Sequence, residues 1–342
     1  MTLGEQVEQE ARAAYEAAPL LTDGAVADAL RHAAGLVGER RAAILAANAA
    51  DVEEASGLDE GLLDRLRLDD ERVDGLAGQL ARTAEIEPLE RDGDAWTLPN
   101  GLRVSERRIP IGTVGANFEA RPGVALDVAG QLLKSLNTAL LRTGSAALRT
   151  VTVLVDDVLR PALAAAGLPD GAVGLVRSPD HEGARLLVSM PRLVPLVVLR
   201  GSGATTAALA RLAAENGVRT LAHAEGGGVL YVHADASPER ALAIAEASLD
   251  RLGVCNRLNL CLVDREAAAV VADLVALAQR LGLRVRGDVD GAEPLDGLPV
   301  EEADEVGPRR GGGRQQKDGG GREAQAVGSG HGDSPWDGSH RS

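Results

Sequence analysis

At 342 residues the chain is long enough for two domains, and its hydrophobic (45%) and charged (25%) shares are those of an ordinary soluble chain. A net charge of −15 opposes contact with nucleic acid or anionic lipid, and aromatics at 1% leave the core to Leu, Val, Ile and Ala. Cys255 and Cys261, six residues apart, are neither a disulfide framework nor a zinc motif, which fits a reducing compartment.

The N-terminal MTLGEQVEQEARAAYEAA reads as an amphipathic helix, without the basic start and apolar core of a signal peptide. No apolar run approaches the ~18 residues of a membrane span, so a cytoplasmic protein is expected. Thr22 and Asp23 are candidate caps before the helical pattern AVADALRHAAGLVGERRAAILAANAADVEEA. A second helical pattern covers DRLRLDDERVDGLAGQLARTAEI. The segment LRVSERRIP then reads as extended. From there, short apolar runs at 113–118, 138–143, 172–177, 193–201 and 228–234 alternate with helix-like segments. Such alternation predicts an α/β fold with a doubly wound, mostly parallel sheet. Ligands bind such sheets beyond the carboxyl ends of the strands, which points to loops near residues 118, 142, 177 and 200. Further on come a helix (PERALAIAEASLDRL), a turn (GVCN), a strand (LNLCLVD), a helix (REAAAVVADLVALAQRLG) and a strand (LRVRGD). Residues 307–342 hold 11 glycines in 36 positions and few aliphatics, a composition expected to stay disordered. The expected organisation is therefore a cofactor domain over 1–233, a partial catalytic domain over 234–306, and a Gly-rich tail.

Four local features carry candidate chemistry. Cys255, in Gly253-Val254-Cys255-Asn256, is a thiol on a turn before an apolar strand. An unperturbed thiol is only about 3% thiolate at neutral pH, and lowering its pKa to about 6.5–7 makes roughly half of it reactive. It is read as a nucleophile or as a buried packing residue, and the local sequence leaves both open. Cys261 lies inside an apolar strand and reads as packing. Arg200-Gly201-Ser202-Gly203 sits between a strand and a helix, where glycines let a phosphate or a nicotinamide ring approach the backbone. Ordinary strand–helix turns use the same residues. Arg142, with Ser145 just after it, ends the TALLR run where a basic group is able to meet a cofactor phosphate. Glu225, in HAEGGG, is either a general base or a turn residue. Scattered histidines give no metal site.

In order, these features resemble one family. RRIPIGTVGANFEARPGVALDVAGQLLKSLNTALLR is similar to the γ-glutamyl phosphate reductase signature through Arg108, Pro110, Gly112, Gly115, Glu119, Arg121, Pro122, Val124, Asp127, Leu133, Lys134, Asn137 and Arg142. ILAANAADVEEA, AAGLPDGAVGLV and VCNRLNLCLVD resemble further family segments, so the likeness covers about residues 5–300. The resemblance implies an aldehyde-dehydrogenase-like fold, NADPH as cofactor and L-glutamyl 5-phosphate as substrate. It also implies reduction to the 5-semialdehyde for proline biosynthesis through a thioacyl enzyme. It implies Cys255 as nucleophile with Asn256 and Glu225 in the catalytic set. Arg142, Ser145, Arg200, Gly201, Ser202 and Gly203 would face the cofactor, and Glu119 and Arg121 the substrate. Channelling from a glutamate 5-kinase, and self-association if the C-terminal part were intact, are further implications.

The sequence departs from the family at Phe118, Gly123, Leu136, Thr143, Asn259 and Leu260, where Tyr, Asn, Gly, Gly, Glu and Thr are usual. The family continues past the point where the apolar pattern stops near residue 306. The expectation that follows is a truncated relative, as a shifted reading frame would produce. The alternative to an active reductase is a non-catalytic chain that at most binds nucleotide.

Overall fold

The N-terminal helical pattern forms α1 (Leu3–Ala17), α2 (Asp23–Glu39), α3 (Arg41–Glu54), α4 (Glu60–Leu66) and α5 (Asp70–Ala84). The computed structural model describes residues 1–58, 60–223, 226–249, 257–287 and 289–293. Each cap has a chemical cause. Thr2 and Glu5 close a reciprocal capping box on α1, the Thr22 hydroxyl accepts from Ala25 N on α2, and Asp69 accepts from Arg72 N on α5. The long pattern after Thr22 is two helices rather than one, broken at Arg40 just after Gly38, a weak helix former.

A hairpin of β1 (Asp92–Thr97) and β2 (Arg103–Arg107) follows, with both strands largely exposed. The remainder of the first unit alternates β3 (Thr113–Phe118), α6 (Gly123–Lys134), β4 (Thr138–Thr143), α7 (Leu148–Val153) and α8 (Arg160–Ala165). It continues with β5 (Val173–Leu175), α9 (His181–Leu187), β6 (Leu196–Arg200), α10 (Gly203–Glu215) and β7 (Arg219–His223). A π-helical stretch, Leu154–Leu159, joins α7 to α8 just before Pro161, whose missing N–H removes one ladder bond.

The sheet order is β5-β4-β3-β6-β7, and every pairing is parallel. Alternation along the strands feeds two cores. Ala139 and Leu141 point into one with α2, α5, α6 and the π-helical stretch, while Leu140 joins Val197 and Leu199 in the other with α1, α9 and α10. The single phenylalanine, Phe118, is buried in the first core.

The stretch between α6 and β4 shows how backbone shape orders this sheet. Leu136 has φ +57°, a left-handed conformation that costs a non-glycine residue about 1–2 kcal/mol. It closes α6 with two reversed bonds, Asn137 N to Leu132 O and Leu136 N to Leu133 O, both 2.8 Å. Asn137 then accepts from Ile111 N and Gly112 N, at 2.7 and 3.0 Å, and so joins the starts of β3 and β4. Lys134 is buried and donates to Ala84 O at the end of α5.

The chain divides into units Met1–Glu225 and Gly226–Ser342. The second contains β8 (Gly228–Val232), α11 (Pro238–Ser248), β9 (Leu258–Val263) and α12 (Val271–Arg280). β8 and β9 pair in parallel over a small core of Val232, Ala241 and Val270. The LRVRGD segment, expected as a strand, forms only an isolated bridge from Arg286 to Glu293. Glu293 N donates to Val285 O at 2.8 Å and Glu293 O accepts from Gly287 N at 3.0 Å, a pairing of one residue and too short for a strand. The GVCN turn and the Gly-rich tail lie outside the described residues.

Candidate functional site

The strand order makes β3 the switch point. The chain leaves β3 through β4 to β5 on one side, then returns to place β6 on the other. At such a point the loops from adjacent strands diverge, and open parallel sheets take their ligands there. The residues at that edge are Asn117 and Glu119 from β3 and its loop, Arg142 and Thr143 from β4, Pro179 and Asp180 after β5, and Arg200 to Gly203 after β6.

Arg142 is the best defined group. Asn117 and Arg142 are register partners on adjacent strands. The residue is 6% exposed, its Nη1 donates to Asn117 Oδ1 at 3.3 Å, and its Nη2 donates to the carbonyls of Pro179 (3.3 Å) and Asp180 (3.1 Å). Asn117 Nδ2 in turn donates to Arg200 O at 3.4 Å. Burial pulls the Arg142 pKa down, and the charges of Glu119 and Asp180 oppose that shift. Arg142 Nε and the Thr143 hydroxyl are buried without a hydrogen-bond partner among the described residues.

The turn after β6 leads into the open end of α10. Ser202 occupies the cap position, yet its hydroxyl donates to Thr205 Oγ1 at 3.0 Å and caps no amide. The first-turn N–H groups of α10 are thus not claimed by a cap side chain, an arrangement that receives anions. Glu119 reaches over this turn: a Cβ on Gly201 would lie 2.9 Å from Glu119 Oε1, so this close approach uses the missing side chain. Arg121 is exposed, forms no ion pair with Glu119, and has its backbone carbonyl bonded to Val124 N. Ser145 is exposed and opens a short 3₁₀ turn after β4.

Among the expected site residues, the structure thus gathers Glu119, Arg142, Arg200, Gly201, Ser202 and Gly203 at one edge. Glu225, Cys255 and Asn256 lie outside the described residues. Sequence reading missed Asn117 and Asp180. The only available signal for Asn117 was a polar residue near the end of an otherwise apolar run. Gly123, where the resembled family has Asn, stands beside Leu76: a Cβ there would come within 2.7 Å of Leu76 Cδ2. Leu76 therefore fills space that a side chain at 123 would need.

Cys261 is half-buried in β9 against the small core of the second unit, and burial raises its thiol pKa. A raised pKa means less thiolate at neutral pH. Iodoacetamide at pH 7 is therefore expected to label Cys261 more slowly than an unperturbed thiol, with the rate still rising above pH 9. Peptide mapping that found Cys261 modified before Cys255 would reverse the roles assigned to the two.

The pattern of the aldehyde dehydrogenase family matches residues 5–292, and the chain belongs to that family. Within it, the similarity is to γ-glutamyl phosphate reductases. The chain is 38% identical to the enzyme of that name from Sorangium cellulosum over 269 residues, which are 77% of this chain and 62% of the relative. It is 36% identical to the one from Deinococcus radiodurans over 301 residues, 84% of this chain and 68% of the relative. The crystal structure of γ-glutamyl phosphate reductase from Thermotoga maritima matches with a TM-score of 0.74 at 29% identity, over 82% of this chain and 69% of that one. The chain thus spans 62% and 68% of the lengths of those two sequence relatives. No helix among the described residues is long and apolar enough to cross a membrane.

Proposed function

We propose that this chain carries the nucleotide-binding half, and the nucleophile, of an NADPH-dependent reductase that converts L-glutamyl 5-phosphate to L-glutamate 5-semialdehyde and phosphate. The observation that carries the reading is the uncapped end of α10, beside Gly201 and the buried Arg142, at the switch point of a parallel sheet. The similarity to γ-glutamyl phosphate reductases supplies the substrate class. The donor set fits a dinucleotide: first-turn amides and a glycine turn suit a diphosphate, and the buried Thr143 hydroxyl stands unpaired among the described residues at the same edge.

In this reading the α10 amides, with Ser145, Arg200, Gly201, Ser202, Gly203 and Arg142, form the cofactor edge. Arg121, exposed after β3, is free to take the substrate α-carboxylate as a bidentate fork, and Glu119 borders it. Cys255 attacks the acyl carbonyl as thiolate, a C–S bond forms, and the C–O bond to phosphate breaks. Asn256 and the backbone at Cys255 supply donors to the oxyanion, and Glu225 is the base that takes the Cys255 thiol proton before attack. NADPH held at this edge would supply the hydride for the thioester carbonyl, and Cys255 would leave as thiolate when the C–S bond breaks. A cytoplasmic enzyme that self-associates and receives its substrate from a glutamate 5-kinase belongs to the same proposal.

The test uses Ala204, exposed in the first turn of α10. Aspartate there suits the helix end but repels a phosphate. Calorimetric titration of the full chain is expected to show NADPH binding that Ala204→Asp weakens by about tenfold, which is about 1.4 kcal/mol. An unchanged affinity would remove the end of α10 from the site. Nucleotide binding without NADPH-dependent turnover of glutamyl phosphate would favour the binding-only alternative.

A further inference from the structure

A buried cation needs a reason. Arg142 is 6% exposed, and no carboxylate lies within ion-pair distance of it among the described residues. Removing a guanidinium from water without a close counter-ion is costly, so such a group is held where its hydrogen bonds accomplish something. Here those bonds run from strand end to strand end. Arg142 on β4 reaches Asn117 on β3 and the carbonyls of Pro179 and Asp180 beyond β5. Asn117 passes the connection to Arg200 O, the last residue of β6 before the Gly201 turn. Two side chains thus join four neighbouring strand ends along the edge where the loops diverge.

We propose that Arg142 and Asn117 act as a positioning pair that sets the spacing between the loop after β5 and the Gly201–Gly203 turn. On this account Arg142 shapes the nucleotide crevice through the loops it holds, and its guanidinium serves no phosphate directly. The inference rests on the nucleotide-binding reading given above and deepens it. It explains why the planar fork of arginine is needed: one guanidinium addresses three acceptors on two elements, a geometry a lysine ammonium on a flexible stem does not reproduce.

The experiment compares NADPH with NADH on the full chain. NADPH carries an additional phosphate, so a direct phosphate contact and a positioning role separate. Arg142→Gln is expected to weaken both nucleotides by the same factor, about tenfold, the ordinary effect of losing hydrogen bonds from a charged donor. Arg142→Lys should behave like Arg142→Gln, and Asn117→Ala should weaken both nucleotides in parallel. The double variant should bind no worse than the poorer single, because either change breaks the same chain. A loss confined to NADPH, rescue by lysine, or additive losses would overturn the proposal.

A second measurement is independent of ligand. Amide hydrogen exchange is expected to rise about tenfold at 180–183 in Arg142→Gln and at 201–202 in Asn117→Ala, with the strands of the sheet unchanged. Unchanged loops, or a uniform rise accompanying a lower melting temperature, would also overturn it. If the unaltered chain bound neither nucleotide, the cofactor reading would fall, while the exchange result would still decide whether the pair holds the loops.

Discussion

Asn48→Leu is expected to destabilise the first unit by about 2–5 kcal/mol, although leucine has the same branching and number of heavy atoms as asparagine. Asn48 is 2% exposed on the inward face of α3. Its amide donates to Leu66 O at 2.9 Å and to Thr150 Oγ1 at 3.3 Å, and its carbonyl accepts from Leu68 N at 2.7 Å. One side chain thereby serves the orphan carbonyl ending α4, the turn after it, and the first turn of α7. Beside it the carboxylate of Asp51, equally buried, accepts from both Thr150 N and Thr150 Oγ1, at 2.8 and 2.7 Å. Leucine makes none of these bonds and bars water from replacing them. Each buried group left unpaired costs about 1–3 kcal/mol, reduced for Thr150 because Asp51 remains. Urea unfolding would measure the loss, and a change below about 1 kcal/mol would mean that the α3–α4–α7 junction rearranges to satisfy itself.

Gly115→Val is expected to cost about 3 kcal/mol for the opposite reason, too much volume rather than too few bonds. Gly115 lies in the middle of β3, the central strand, buried on both faces. A Cβ there would come within 2.9 Å of Val197 Cγ2, 3.0 Å of Leu187 Cδ1 and 3.1 Å of Val194 Cγ1. Those groups belong to β6, α9 and the loop between them, and all three residues are fully buried. Well-packed cores relax little, and valine adds two methyls to the clash. Alanine should fall between glycine and valine. Equal thermal melting of the three forms would show that α9 moves away freely.

Several residues that carried the family resemblance prove to hold the scaffold. Gly112 has φ +105°, a conformation suited to glycine alone, and Gly115 leaves room for α9 and β6. Arg108 donates to Glu90 O, Asp127 accepts from Gln79 and Gln131, Lys134 closes α5, and Asn137 joins two strand starts. Glu119, Arg121 and Arg142, from the same run of sequence, stand instead at or beyond the carboxyl ends of β3 and β4. The motif is a mixture of both kinds because a switch-point crevice is only as well shaped as the strands and turns beneath it.

What was legible in the sequence was whatever depended on local periodicity. The bounds of β3 and β4 follow from unbroken apolar runs, because strands buried on both faces admit little else. The cap at Thr22 and the helical character of the N-terminal region follow from spacing of the same kind, but the breaks at Arg40 and between Leu66 and Asp70 do not. What depends on a distant neighbour was not legible. β1 and β7 are polar, mostly exposed strands that exist because β2 and β6 lie beside them, and LRVRGD reads as a strand yet pairs, among the described residues, with Glu293 alone. Arg142 shows the same division at a single residue. Its position at a strand's end, and hence at the carboxyl edge of the sheet, is a matter of sequence. That its guanidinium turns inward to Asn117, Pro179 and Asp180 was decided by the tertiary structure, because only packing β3 and β5 on either side of β4 gives the charge three acceptors.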